Sequence, residues 1–212
     1  MLRFSGFQTV CAVLVVLASC RQPLSDADRQ HLRAISDHRL EVDSSFRHDP
    51  NSPFNSDPMA HFTGIKWFPP DLRFSFSSKL HRYARVETVT VFGTKGEARK
   101  EMRYGYFALP FEGTEHRLNV YKSMAEESRE YGIPESHLSV WFTDETTGKE
   151  TYNVGRYVDV EDESPDPDHE YRIDFNNAYN PYCAYSDRYS CAIPGKEDHL
   201  AFSVRAGELK YH

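Results

Sequence analysis

The chain reads as a mainly β protein, an antiparallel sandwich or partly closed barrel with an amphipathic helix near its N-terminus and one short additional helix. Three observations carry that reading. Leu72, Phe74, Phe76 and Leu80 alternate with Arg73, Ser75, Ser77 and Lys79, the period of two that marks a half-exposed antiparallel strand. The 14 phenylalanines and 13 tyrosines favour pleated surfaces. Gly93-Thr94-Lys95-Gly96 and Glu112-Gly113-Thr114 supply hairpin turns between apolar runs.

The first element is a leader. Arg3 precedes an apolar run from Val10 to Ala18, which ends in Leu17-Ala18-Ser19-Cys20. That run is shorter than the roughly 20 residues a helix needs to span a bilayer, and the small residues before Cys20 match a bacterial lipoprotein signal. Residues 1–19 are therefore expected to be cleaved, residues 20–25 to form an acylated tether, and residues 26–212 to form one mainly β domain. Diacylglycerol on Cys20 plus an amide-linked, palmitate-like acyl chain, at about 0.8 kcal/mol per buried methylene, anchors a protein stably where one chain is marginal. The membrane is thus an expected partner and the cell envelope the expected location. Arg21, rather than an aspartate, follows the cysteine, which favours the periplasmic side of the outer membrane in a host with two membranes.

Ser25 caps a helix whose first turn carries Asp26 and Asp28, and Leu32, Ile35, Val42 and Phe46 share one face, interrupted by Arg39. Asp49-Pro50, Ser52-Pro53 and Asp57-Pro58 break regular structure. Beyond Leu72, strands are predicted over 86–92, 100–111, 117–121, 138–143, 151–160, 171–175 and 200–206. In the second of these the apolar stripe moves at Gly105, from Met102 and Tyr104 to Phe107, Leu109 and Phe111, which predicts a bulge or corner. Residues 123–131 form a short helix closed by Gly132 and Pro134.

Losing the leader removes Arg3 alone from the charge balance and takes the formal net charge from −7 to −8. No basic cluster is present, so nucleic acid is excluded as a partner. The sequence calls for no cofactor.

Residues 141–191 concentrate the chemistry. Asp144 to Gly148 forms a turn, Glu150-Thr151-Tyr152-Asn153-Val154-Gly155-Arg156-Tyr157 a strand, and Asp174-Phe175-Asn176-Asn177-Ala178-Tyr179-Asn180-Pro181-Tyr182-Cys183-Ala184 a loop. With Cys191 and Ala206-Gly207-Glu208, these motifs resemble the bacterial and archaeal family of domains of unknown function numbered 1684. The resemblance extends upstream through Ser52-Pro53-Phe54 and Trp67-Phe68-Pro69, with Thr147 in place of a serine, Asn153 in place of a glycine, and His199 at a position where the family more often has another residue. It implies no known activity and no catalytic residues.

Read from the residues, Arg156 offers a planar five-donor fork and Asp174 is its expected partner. One reading is structural: Arg156 and Asp174, with Asn176 and Asn180, pin a long loop. The other is a binding pocket for a small polar or anionic ligand, built from Asp144, Tyr152, Arg156, Tyr157, Asp174, Asn176, Tyr179 and Asn180 and rimmed also by Tyr182. Cys183 and Cys191 remain once Cys11 is cleaved and Cys20 acylated, and outside the cytoplasm they are expected to form a disulfide. Closing that loop contributes about 2.5 kcal/mol.

Two rivals use the same thiols: zinc held by Cys183, Cys191 and His199, or a Cys183 nucleophile with His199 or His116 as base. With no tight Cys-x-x-Cys pair, no metal site is assigned. The acidic run from Glu161 to Glu170 reads as a solvated, self-repelling loop, and His31 and His38 read as surface residues. The leading functional expectation is a non-catalytic, lipid-anchored envelope module that binds a small polar ligand or an envelope protein. The alternative is a hydrolase or lyase with Asp174 or Asp144 as base and Arg156 stabilising an anion.

Overall fold

A computed structural model describes residues 23–57 and 59–212. The leader and Cys20 lie outside the described residues. Helix α1 (Asp26–His48) starts as its local chemistry dictates. The Ser25 hydroxyl accepts from the Asp28 amide at 3.0 Å, and the Asp28 carboxylate accepts from the Ser25 amide at 3.1 Å. Its inner face buries Ile35 and Phe46. Arg39, which breaks that apolar face, is put to use there: its guanidinium lies 4.8 Å from the Trp67 ring and donates to the Phe68 and Asn176 carbonyls. Among the described residues, no helix is long and apolar enough to cross a membrane.

Four strands form the main antiparallel sheet: β1 (Ser75–Phe92), β2 (Ala98–Phe111), β3 (Thr114–Ser123) and β6 (Glu170–Asp174), in the order β3-β2-β1-β6. Between β3 and β6 in the chain lie helix α2 (Ala125–Tyr131), closed by left-handed Gly132, and strands β4 (Trp141–Asp144) and β5 (Arg156–Tyr157). With β7 (His199–Leu200), β4 and β5 make a second sheet in the order β5-β4-β7. The fold is mainly β and sandwich-like, with no closed barrel among the described residues. The β4–β7 pair runs parallel, an exception to the antiparallel expectation.

Two predicted strands, Leu72–Leu80 and Val86–Phe92, are one long element whose first residues, Leu72–Phe74, turn as a 3₁₀ helix. It stays continuous through an irregularity: Arg82 faces Gly105 and Glu87 faces Arg103, so residues 83–86 bow out opposite Tyr104. The partner register slips at the same place, from Arg103↔Tyr121 to Gly105↔Val120, which is the bulge the sequence predicts. At Gly105 a Cβ would stand 2.6 Å from the His81 carbonyl oxygen, so the close approach requires glycine.

The bulge divides the sheet's burial between its two faces. On one, Phe107, Leu109, Leu118 and Val120 join Phe142, Ile173, Phe175 and Val204 in the main core. On the other, Val89, Val91 and Tyr121 meet Trp141 and Ala192. A third, aromatic cluster lies beneath the end of α1, where Phe46, Phe54, Tyr185 and Tyr211 pack edge to face or tilted. Fully burying each such side chain contributes about 1.5–3 kcal/mol.

The acidic run is not uniformly solvated. Glu163 folds inward to accept from Lys122, Arg82 and the Tyr104 hydroxyl. Burial opposes its ionisation, yet these donors hold the carboxyl at about 2. Lys79 reaches Asp168 at 2.7 Å, so the loop is stapled to the sheet by charge pairs that its composition alone does not reveal.

Candidate functional site

Arg156 is paired, but not with Asp174. Strand β5 registers against β4 so that Arg156 faces Phe142, whose ring lies 5.2 Å from the guanidinium, and Asp144 stands two residues further along the same face. The Nη2 atom donates to Asp144 Oδ2 and to the Val204 carbonyl, each at 2.8 Å, while Nη1 donates to the Ala206 and Glu208 carbonyls. Only 1% of the residue is exposed. Burial lowers its pKa and Asp144 opposes that shift. Gly155 makes the register possible: with φ at +125°, any Cβ would stand 2.7 Å from the Phe142 carbonyl oxygen. The expected pairing fails because Asp174 ends β6, which belongs to the other sheet.

Asp174 instead accepts from the Asn176 amide and side chain, and its second oxygen lies 2.6 Å from His31 Nε2. His31 is thus a half-buried tie between α1 and the domain, not a surface residue. Asn176 exchanges hydrogen bonds with the Asp71 backbone, and Asn180 donates its amide to Glu208 and its side chain to the Leu209 carbonyl. Glu208, known beforehand only as part of a motif, is completely buried, and burial pushes its carboxyl up to about 7. Tyr179 donates to Asp159, and Tyr152 packs into the aromatic cluster beneath α1. The sequence's candidates therefore divide: Asp144, Arg156, Asn176 and Asn180 form a sealed scaffold, Asp174 reaches a small groove beside His31, and Tyr157 alone among them lines a cleft of about 590 Å³.

The expected cross-link is absent here. Cys183 and Cys191 are free thiols, with the Cys183 amide donating to Cys191 Sγ at 3.2 Å. Hydrogen bonding between them splits their acidity: Cys183 is held down to about 6, and Cys191 is pushed up. His199 takes no part, since its two ring nitrogens face Thr143 and Glu145, and His116 packs edge-on against Phe202.

A cleft of about 590 Å³ opens between β2, α2, β4, β5 and the loop around Cys191. Its walls carry Glu97, Arg99, Glu101, Glu127, Ile133, Trp141, Tyr157 and Ala192. Register explains Glu101: it faces Val89 on one side and Ser123 on the other, on the same face as Val91 and Tyr121 and beyond the bulge from Phe107. The residue is 7% exposed, and its Oε2 has no hydrogen-bond partner among the described residues. Burial, reinforced by Glu127, raises the carboxyl to about 7, against a weaker pull from Arg99. Arg99 is already engaged by Glu97 at 2.6 Å and the Ser190 carbonyl at 2.9 Å. Trp141 stacks on Tyr121 with centroids 4.5 Å apart, and its indole N–H donates to Asp198. Tyr157 donates to the Ala192 carbonyl. The wall is aromatic and acidic.

Sequence reading missed Glu101 because it sits in the charged run Glu97-Ala98-Arg99-Lys100-Glu101, which looks solvent-facing. The available signal was the stripe shift at Gly105: a bulge there sends Glu101 to the face opposite Phe107, and that face is covered.

A family model described as "Protein of unknown function (DUF1684)" matches residues 60–209. The chain belongs to this family. The DUF1684 match spans β1 to β7, including the cleft and the Arg156 scaffold. One similar solved structure is the solution NMR structure of an uncharacterised protein from Haloarcula marismortui, 28% identical, with a TM-score of 0.62, covering 87% of this chain and 97% of that one. No curated protein matches the chain.

Proposed function

We propose that this DUF1684 protein is a lipid-anchored envelope module that binds a small polar ligand, and that the ligand sits in the Glu101 cleft. One observation carries the reading: Glu101, a nine-tenths buried residue with an unpartnered carboxylate oxygen, lines a cleft of about 590 Å³ beside Trp141 and Tyr157. The Glu101 carboxylate accepts no hydrogen bond among the described residues, at a cost of about 1–3 kcal/mol that a ligand donor reaching it from the cleft offsets. Anchoring through acylated Cys20 keeps the domain at an envelope leaflet, and the oxidising surroundings convert the adjacent Cys183 and Cys191 into a disulfide beside the cleft. An envelope-protein partner would use the same face.

The hydrolase or lyase reading needs an accessible Arg156, and both terminal nitrogens of that guanidinium are spent on protein acceptors. Native mass spectrometry of the protein taken from its own envelope in mild detergent tests the proposal. The expected result is a bound small mass that is lost in Trp141→Ala and Glu101→Ala. An adduct retained equally by both variants would place the ligand elsewhere, and the absence of any adduct would overturn the reading.

A further inference from the structure

Resting on that reading, we infer that the ligand is a protonated amine on an apolar body, its ammonium held by Glu101. The argument is one of charge and donors. When ionised, the Glu101 carboxylate only accepts hydrogen bonds, so it needs a donor and repels a bare carboxylate or phosphate; its protonated form alone would donate to one. The cleft's cation, Arg99, is matched by Glu97 and the Ser190 carbonyl, so it offers an incoming anion little. Glu101 and Glu127 are left without an ion pair among the described residues.

With Glu101 ionised, a neutral polyol would satisfy its oxygen yet leave the two carboxylates repelling one another. A protonated amine satisfies both requirements with one group. Ile133, Trp141, Tyr157 and Ala192 then provide an apolar wall for the ligand's body, with ring faces and edges suited to a flat or compact group. Metal capture does not fit, because no group of three His, Cys, Asp or Glu side chains among the described residues has metal-holding geometry.

The site is also proton-linked. The charged and titratable groups around Glu101 are Glu97 and Arg99 on β2, Glu127 on α2, Tyr121 on β3, Tyr157 on β5 and Cys191 on the facing loop. With the carboxyl near 7, its ionised fraction rises about tenfold between pH 6 and pH 8, and amine affinity rises with it.

Three near-isosteric probes decide the matter: benzylamine, benzyl alcohol and benzoate, titrated into the detergent-solubilised full-length mature protein by calorimetry. The expected result is benzylamine binding at least tenfold tighter than benzyl alcohol, with benzoate weaker than both. Glu101→Gln, checked for fold by circular dichroism, should abolish the preference while leaving benzyl alcohol binding in place, and Glu127→Gln should reduce it about threefold. Benzyl alcohol or benzoate binding as tightly as the amine, still sensitive to Trp141→Ala, would overturn the amine assignment and leave the cleft standing. Binding of none of the three would overturn both.

Discussion

Replacing Glu101 with glutamine keeps the side chain's shape and removes its charge, so the pH dependence of the change isolates what burial does to the carboxyl. In the folded protein the group titrates at about 7 rather than 4.5. The native state therefore holds the proton more tightly than the unfolded chain does. The contribution of Glu101 to stability is fullest below pH 4.5, falls as pH rises toward 7, and is flat beyond. At 1.36 kcal/mol per decade, the loss between pH 5 and pH 8 is about 2–3 kcal/mol.

Glu101→Gln lacks this loss. Urea unfolding of both proteins should show the variant gaining about 2–3 kcal/mol on the wild type between those two pH values, roughly 5–10 °C in Tm for a domain of this size. Glu208, also raised to about 7, titrates in both proteins and drops out of the difference. Parallel stability curves would refute the claim that Glu101 is desolvated in the native cleft, and the binding argument would go with it.

Other expectations follow from the scaffold. Arg156→Lys replaces a fork that reaches Asp144 and three carbonyls with a point charge, and should cost about 3–5 kcal/mol in denaturant unfolding; a loss below 1 kcal/mol would contradict the keystone role. Gly207→Ala should cost more than about 2 kcal/mol, because φ is +77° and the new Cβ would meet the Ala178 carbonyl oxygen at 2.4 Å; an unchanged Tm would show that this segment can relax. A thiol titration of the denatured, unreduced protein from its native envelope should find no reactive thiol, and two would remove the proposed disulfide.

Much of the architecture was legible because it is set locally. Ser25 and Asp28 cap α1 with groups three residues apart, Gly132 closes α2 in a left-handed conformation, and the glycine turns place the β1–β2 and β2–β3 hairpins. The bulge was visible as a shift in stripe, since a single extra residue reverses every later side chain. Element ends were less legible. The predicted strand over 151–160 shrinks to Arg156–Tyr157, because Thr151 is tied back to Thr146 and the chain then turns, Gly155 donating to the Tyr152 carbonyl.

Sequence alone determined the alternation of the first long strand, the stripe shift at Gly105, the caps, the turns and the motifs that mark the family, because each depends on residues a few positions apart. Tertiary structure decided which charges meet. Arg156 found Asp144 through the register of β5 on β4, Asp174 found His31 through the docking of α1, and Glu101 became buried only when α2, β4 and the Cys191 loop closed over its face. Such pairings are set by strand order and layer packing across tens of residues, and a charged side chain in sequence shows neither which partner it will reach nor whether it will be left without one.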